Sequence, residues 1–540
     1  MKKDKKVLYS SHIFMFPFRF DWNAKGFNKE YGFYKEESIS ERISLKNLHE
    51  KLTKDWNYKA FKVTDDYNEY AYFYDYARDA IYNFNEKFDE NAISYYYDKD
   101  GLKGDSFELH IKGEVYNLTI AGVSLRIFST GVALLSLELN NYNYDSFPDI
   151  LKINDFGRRI YPQFISDGKV EATQDSFLAK SIKIPALKIE ENFERDVYDE
   201  TYIGQHIMAL LGEELFTQEK AEANRYYIQP SLDDRMFVVS WYGDNDKSVE
   251  FTESYSMSDD WYKYIFVDNA DVTVKNQEMK RALLKNATYD RWSENGTIYG
   301  LTRYSFVSLT NRDWFPLNIV QPHIGSMYFQ MMTLLLATRT SILRFSDEIA
   351  ALASTETLDS EKLTKLYQRY LTFYNRLYFK EVTHQDQGIE LYDIARKQMK
   401  IDEHMEKLDG KFTKLFEFAK MQSDDKSAEK MDKLTIMGAI FLPPSLMIAL
   451  FSMGIFDYNQ SEGSLYIAVI AMVFSILLAV GFINFKVKSK KIKEMILPAV
   501  IITVVTLLTV LVPIKLIGEK ADKPNDVNIT NSTIKVEIKK

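Results

Sequence analysis

The sequence predicts an α/β cytoplasmic domain followed by long helices and an α-helical transmembrane region. Three observations lead there. Alternating apolar segments separated by glycines fill much of 12–310. After Pro322 the apolar residues switch to helical spacing. Residues 434–518 are apolar at a density that no water-soluble domain needs. The resulting boundaries are 1–321 for the α/β sensor, 322–433 for a helical stalk, 434–518 for the membrane region and 519–540 for a polar tail.

Composition narrows the function. The chain has 540 residues and a formal charge of −9, which argues against a general nucleic-acid-binding surface. It has no cysteine, so disulfides, thiolate metal sites and cysteine nucleophiles are excluded. Its 7 histidines have no metal-ligand spacing, and it has no phosphate-loop, dinucleotide or nucleophile-elbow motif. No catalytic constellation is present, so the chain reads as a binding protein rather than an enzyme, with no cofactor. Its lysine-rich first residues lack an apolar core behind them, so the first membrane span is expected to act as the targeting signal.

The strands come first. Residues 12–21 alternate as an opening strand. Short strands are expected at 107–111, 115–120 and 124–128, and a strongly apolar one at 130–140. A helix is expected over 201–215, a strand over 236–242 and a strand pair over 297–310.

Residues 150–164 carry the candidate ligand site. Asp155, Gly157, Arg158 and Arg159 read as a tight polar turn between apolar anchors, and Tyr161 follows. Two guanidinium groups converging from a turn match a phosphate in bidentate geometry, and a tyrosine offers a stacking surface for a base. Arg158, Arg159, Tyr161 and Asp155 are therefore the expected ligand contacts. Solvated arginines or ion pairs within the fold are the competing reading. Asp233 and Asp234, beside Arg235, read as turn residues.

The helices follow at 323–353, 359–379 and 386–433. The third carries Ile394, Ile401, Leu408 and Leu415 seven apart, with Met405, Phe412 and Ala419 as a second row. That is a coiled-coil-like seam, and packing within one subunit is the alternative.

The membrane region divides into spans 434–453, 465–485 and 495–517. Each is about 20 residues, enough to cross a hydrocarbon core of roughly 30 Å. Lysines crowd 486–493 and precede the first span, whereas 454–464 holds only Asp457 and Glu462 as charged residues. The positive-inside rule then places the N-terminal domain in the cytoplasm.

Ile440, Phe441, Leu442 and Pro443 look like the segment common in the first span of the CorA magnesium-transporter family, and the layout from stalk to membrane resembles that family. The signature that ends the span in that family falls on Phe451, Ser452, Met453 and Gly454, where only the methionine matches. Residues 12–21, 150–164, 233–243 and 381–392 resemble segments of the CorA-like effectors associated with type III CRISPR systems. That resemblance implies a homopentamer in the inner membrane of a prokaryote. It also implies a response to a nucleotide second messenger, SAM-AMP, and antiviral defence by membrane disruption or ion leakage. A divalent-cation transporter is the alternative. Thr435, Gly438, Leu442, Ser445, Ala449 and Ser452, on one face of the first span, are the expected pore lining. Such a stripe also serves helix packing in lipid. Asp457 and Glu462 are expected at the outer mouth, where they would concentrate cations.

Overall fold

The computed structural model describes residues 6–23, 43–62, 69–160, 179–193, 203–219, 222, 224–232, 234–353 and 360–424. The chain divides into two compact units, 1–415 and 416–540, and of the second only the helix end up to Asp424 is described.

One mixed sheet organises the first unit. Its 14 strands are β1 (Ser10–Asn23), β2 (Asn57–Tyr58), β3 (Ser94–Asp98), β4 (Ser106–Ile111), β5 (Glu114–Phe128), β6 (Val132–Asn141), β7 (Ser181–Ile184), β8 (Ile189–Asn192), β9 (Phe216–Thr217), β10 (Arg225–Pro230), β11 (Phe237–Gly243), β12 (Thr288–Tyr289), β13 (Thr297–Leu301) and β14 (Ser305–Thr310). The main path runs β12-β13-β14-β11-β1-β6-β5-β4-β7-β8. β11 and β14 are parallel, while β1 is antiparallel to β6, β10 and β11.

β1 is central because it can be buried on both faces: Phe14, Phe16, Phe18 and Phe20 lie in the core, as do Ile13 and Met15. A proline in a central strand removes a ladder donor. Pro17 is tolerated because β11 pairs with β1 only as far as Met15, and β10 takes over at Phe18. In the gap between them the Pro17 carbonyl accepts from Ser231 N at 3.1 Å, and no N–H is needed there.

The strands expected at 115–120 and 124–128 are one strand, β5, whose register shifts between Ile120 and Gly122. A bulge absorbs the break that the glycine suggested.

The helical part departs further. Within the expected helix at 386–433 the described residues form two helices, Asp386–Met399 and Ile401–Asp424, and 425–433 lie outside the described residues. Lys400 between them is left-handed at φ 54°, and its N–H closes onto the carbonyls of Arg396 and Lys397. The heptad rows are used inside the chain: Met405, Leu408 and Phe412 are buried, and the Phe412 ring lies 4.3 Å from that of Tyr370 on the helix Ser360–Arg376.

The expected architecture is corrected accordingly. An α/β sensor with a continuous stalk and a CorA-like, pentameric membrane bundle is replaced by a unit built around one 14-stranded sheet. Among the described residues no helix is long and apolar enough to cross a membrane. The reading as a transmembrane ion channel therefore has no helix to carry it among them. The spans 434–453, 465–485 and 495–517 lie outside the described residues. So do Thr435, Gly438, Leu442, Ser445, Ala449 and Ser452, and so do Asp457 and Glu462.

Candidate functional site

Asp155, Arg158 and Arg159 do come together, but at a helix end instead of in a turn. The helix Phe147–Gly157 starts where Ser146 Oγ accepts from Asp149 N and Pro148 fills the first turn. Asp155 and Gly157 form its last turn, and Arg158 is its C-cap. Gly157 is required by close approach: a Cβ there would stand 2.6 Å from Cζ of Phe14. The helix end is thereby pressed onto β1.

Past the cap the chain meets the segment before β11. Arg159 bridges Arg235, Ile160 N donates to Asp234 O at 2.9 Å, and Met236 N donates to Arg158 O at 2.6 Å. This pairing brings Arg158, Arg159 and Arg235 together with Asp155 and Asp234.

The electrostatics are those of a buried network. One oxygen of Asp155 lies 3.3 Å from Nη2 of Arg158 and 3.3 Å from Nη2 of Arg159. Its other oxygen accepts from Asn269 N at 3.2 Å. Arg159 Nη1 reaches Asp234 at 3.3 Å, and Arg235 Nε lies 3.1 Å from the other oxygen of Asp234. Arg158 Nη2 also donates to the carbonyl of Val267, which caps the helix Asp259–Phe266. The negative end of that helix dipole thus faces the cation.

Arg158 is only 2 % exposed, and two of its three nitrogens, Nε and Nη1, are buried with no hydrogen-bond partner among the described residues. Burial pulls its pKa down to about 10; Asp155 opposes the shift, and Arg159 and Arg235 reinforce it. Half-buried Asp268 has its carboxyl pushed up by burial and by Asp155. Among the described residues the cluster is thus a desolvated network in which Arg158, Arg159 and Arg235 meet Asp155, Asp234 and Asp268.

Of the four expected ligand contacts, Asp155, Arg158 and Arg159 are joined by these bonds, while Tyr161 lies outside the described residues. Sequence reasoning missed Val267 and Asn269. Asp268-Asn269 is a turn signal, but nothing in the sequence indicates a left-handed valine (φ 53° at Val267) whose carbonyl faces an arginine. Among the described residues no group of acidic or histidine side chains is placed to hold a metal ion.

No protein-family model matches the chain, and no curated protein or solved structure is similar to it.

Proposed function

We propose that the protein is a receptor for an anionic nucleotide second messenger of the SAM-AMP kind, acting by binding in type III CRISPR antiviral defence. Arg158 is the observation that carries the receptor reading. A buried guanidinium with two unused nitrogens forfeits hydrogen bonds that a phosphate oxygen would supply. The link to CRISPR defence rests on the sequence resemblance of 12–21, 150–164, 233–243 and 381–392.

The depth of Arg158 gives the reading a mechanism. A ligand reaching a side chain 2 % exposed must displace packed chain, so binding and conformational change are one event. Only the conformer that admits the phosphate gains its hydrogen bonds, and this difference in affinity is what shifts a population. The contacts that would respond are those of the Arg158–Val267 and Arg159–Asp234 links, which join the helix Phe147–Gly157 to its neighbours.

The test is calorimetric titration of the full chain with SAM-AMP. Saturable binding is expected, and added salt should weaken it only modestly, because buried charge pairs are poorly screened. Absence of binding at millimolar ligand would contradict the proposal.

A further inference from the structure

A cavity of about 110 Å³, partly open to solvent, is walled by the rings of Trp292, Tyr299, Phe315 and Tyr328. Two π-helical turns, Pro316–Val320 and Ile324–Tyr328, form one side of it. Such turns are rare and occur frequently at functional sites. Phe315, Ile319 and Tyr328, which line the cavity, are carried on or beside these turns.

Gln387 holds the aromatic wall in place before any ligand arrives. Its Nε2 donates to the hydroxyls of Tyr328 at 2.7 Å and Tyr299 at 3.2 Å, and its Oε1 accepts from Trp292 Nε1 at 2.8 Å. Two other polar side chains of the lining are uncommitted. Thr297, 2 % exposed, lines the cavity with its hydroxyl outside any side-chain hydrogen bond among the described residues. The carboxamide of exposed Asn295 has none there either. At the mouth Phe315 is 50 % exposed, and the adjacent Trp314 is 71 % exposed.

We propose that this cavity binds a purine base, with adenine the best match, stacked on the aromatic wall and read along its edge by Asn295 and Thr297. A carboxamide pairs with the N6 donor and N7 acceptor of adenine, and every base offers a face for stacking. A purely apolar occupant would offer the Thr297 hydroxyl no hydrogen-bond partner. A phosphate would meet no lysine or arginine in the lining. The inference is independent of the arginine cluster, and each can fail without the other.

The experiment titrates adenosine into the full chain by calorimetry, with toluene as the apolar comparison. Phe315→Ala and Asn295→Ala are the variants, since both side chains are exposed and their loss spares the core. Thermal unfolding checks that each variant is folded. Adenosine is expected to bind saturably and toluene far more weakly, with each variant losing about tenfold in adenosine affinity. Arg158→Met is expected to leave that affinity unchanged. The proposal is overturned if adenosine does not bind, if both variants bind it as the parent does, or if toluene binds equally well. Loss of adenosine binding in folded Arg158→Met would overturn the independence of the two sites.

Discussion

Nδ1 of His12 lies 2.7 Å from Oδ1 of Asn154, and this contact ties β1 to the helix that carries Asp155 and ends at Arg158. Because a carboxamide oxygen only accepts, Nδ1 holds the imidazole proton, and Nε2 accepts from Ser10 Oγ at 2.8 Å. Both ring nitrogens are spent in the neutral form. Burial lowers the pKa of His12 to about 4, with the Asn154 hydrogen bond pulling the other way.

Folding stability should therefore depend on His12 below neutral pH. The unfolded residue takes up its proton near pH 6.5, while the folded one resists until about pH 4. The stabilisation is complete above pH 6.5, is lost as the pH falls towards 4, and is gone below that. The loss amounts to about 3 kcal/mol. Urea titrations of the parent and His12→Gln across this window should show a flatter profile in the variant. Parallel profiles would contradict the assignment.

Gly157→Ala should destabilise the chain. In an ordinary helix the change gains about 0.5–1 kcal/mol. Here the added methyl meets Phe14, a ring with 0 % exposure and little room to retreat. A net loss of about 1–3 kcal/mol is expected in denaturant unfolding. A gain in stability would show that the helix end does not press on β1.

Lys400→Gly discriminates between two helices and one. At the left-handed position seen here, glycine relieves strain and should raise stability by about 1 kcal/mol. Within a continuous helix the same change would cost about 1 kcal/mol. The sign of the shift in unfolding midpoint decides.

Where the sequence was legible, a repeating pattern made it so. β1, β11 and the β13–β14 pair announce themselves through apolar alternation and runs, and the helix ending at Ala353 through its spacing. The polar turn at Asp155–Gly157 was misread because the cap signal that starts its helix lies upstream, at Ser146 and Pro148. Polar residues then look like a loop when they are a helix end facing buried partners. The break at Lys400 has no glycine or proline to mark it, and the π-helical turns beside Phe315 have no sequence signature at all. Of the candidate site, the sequence indicated that Asp155, Arg158 and Arg159 belong together. It held nothing about their burial, because the residues that bury them, Val267 and Asn269, are more than 100 positions away.

The affinity of SAM-AMP for Arg158→Met tests the receptor reading most directly. Methionine keeps the apolar stem of the side chain and removes its charge, while Asp155 keeps Arg159 and the N–H of Asn269 as partners. Denaturant unfolding establishes that the variant is folded, and calorimetry gives the affinity. Losing two charge-assisted hydrogen bonds, each worth roughly 1.5–3 kcal/mol, predicts binding weaker by about a hundredfold or more. A folded Arg158→Met protein that binds SAM-AMP with the affinity of the parent would contradict the reading and leave Arg158 as a tie within the fold.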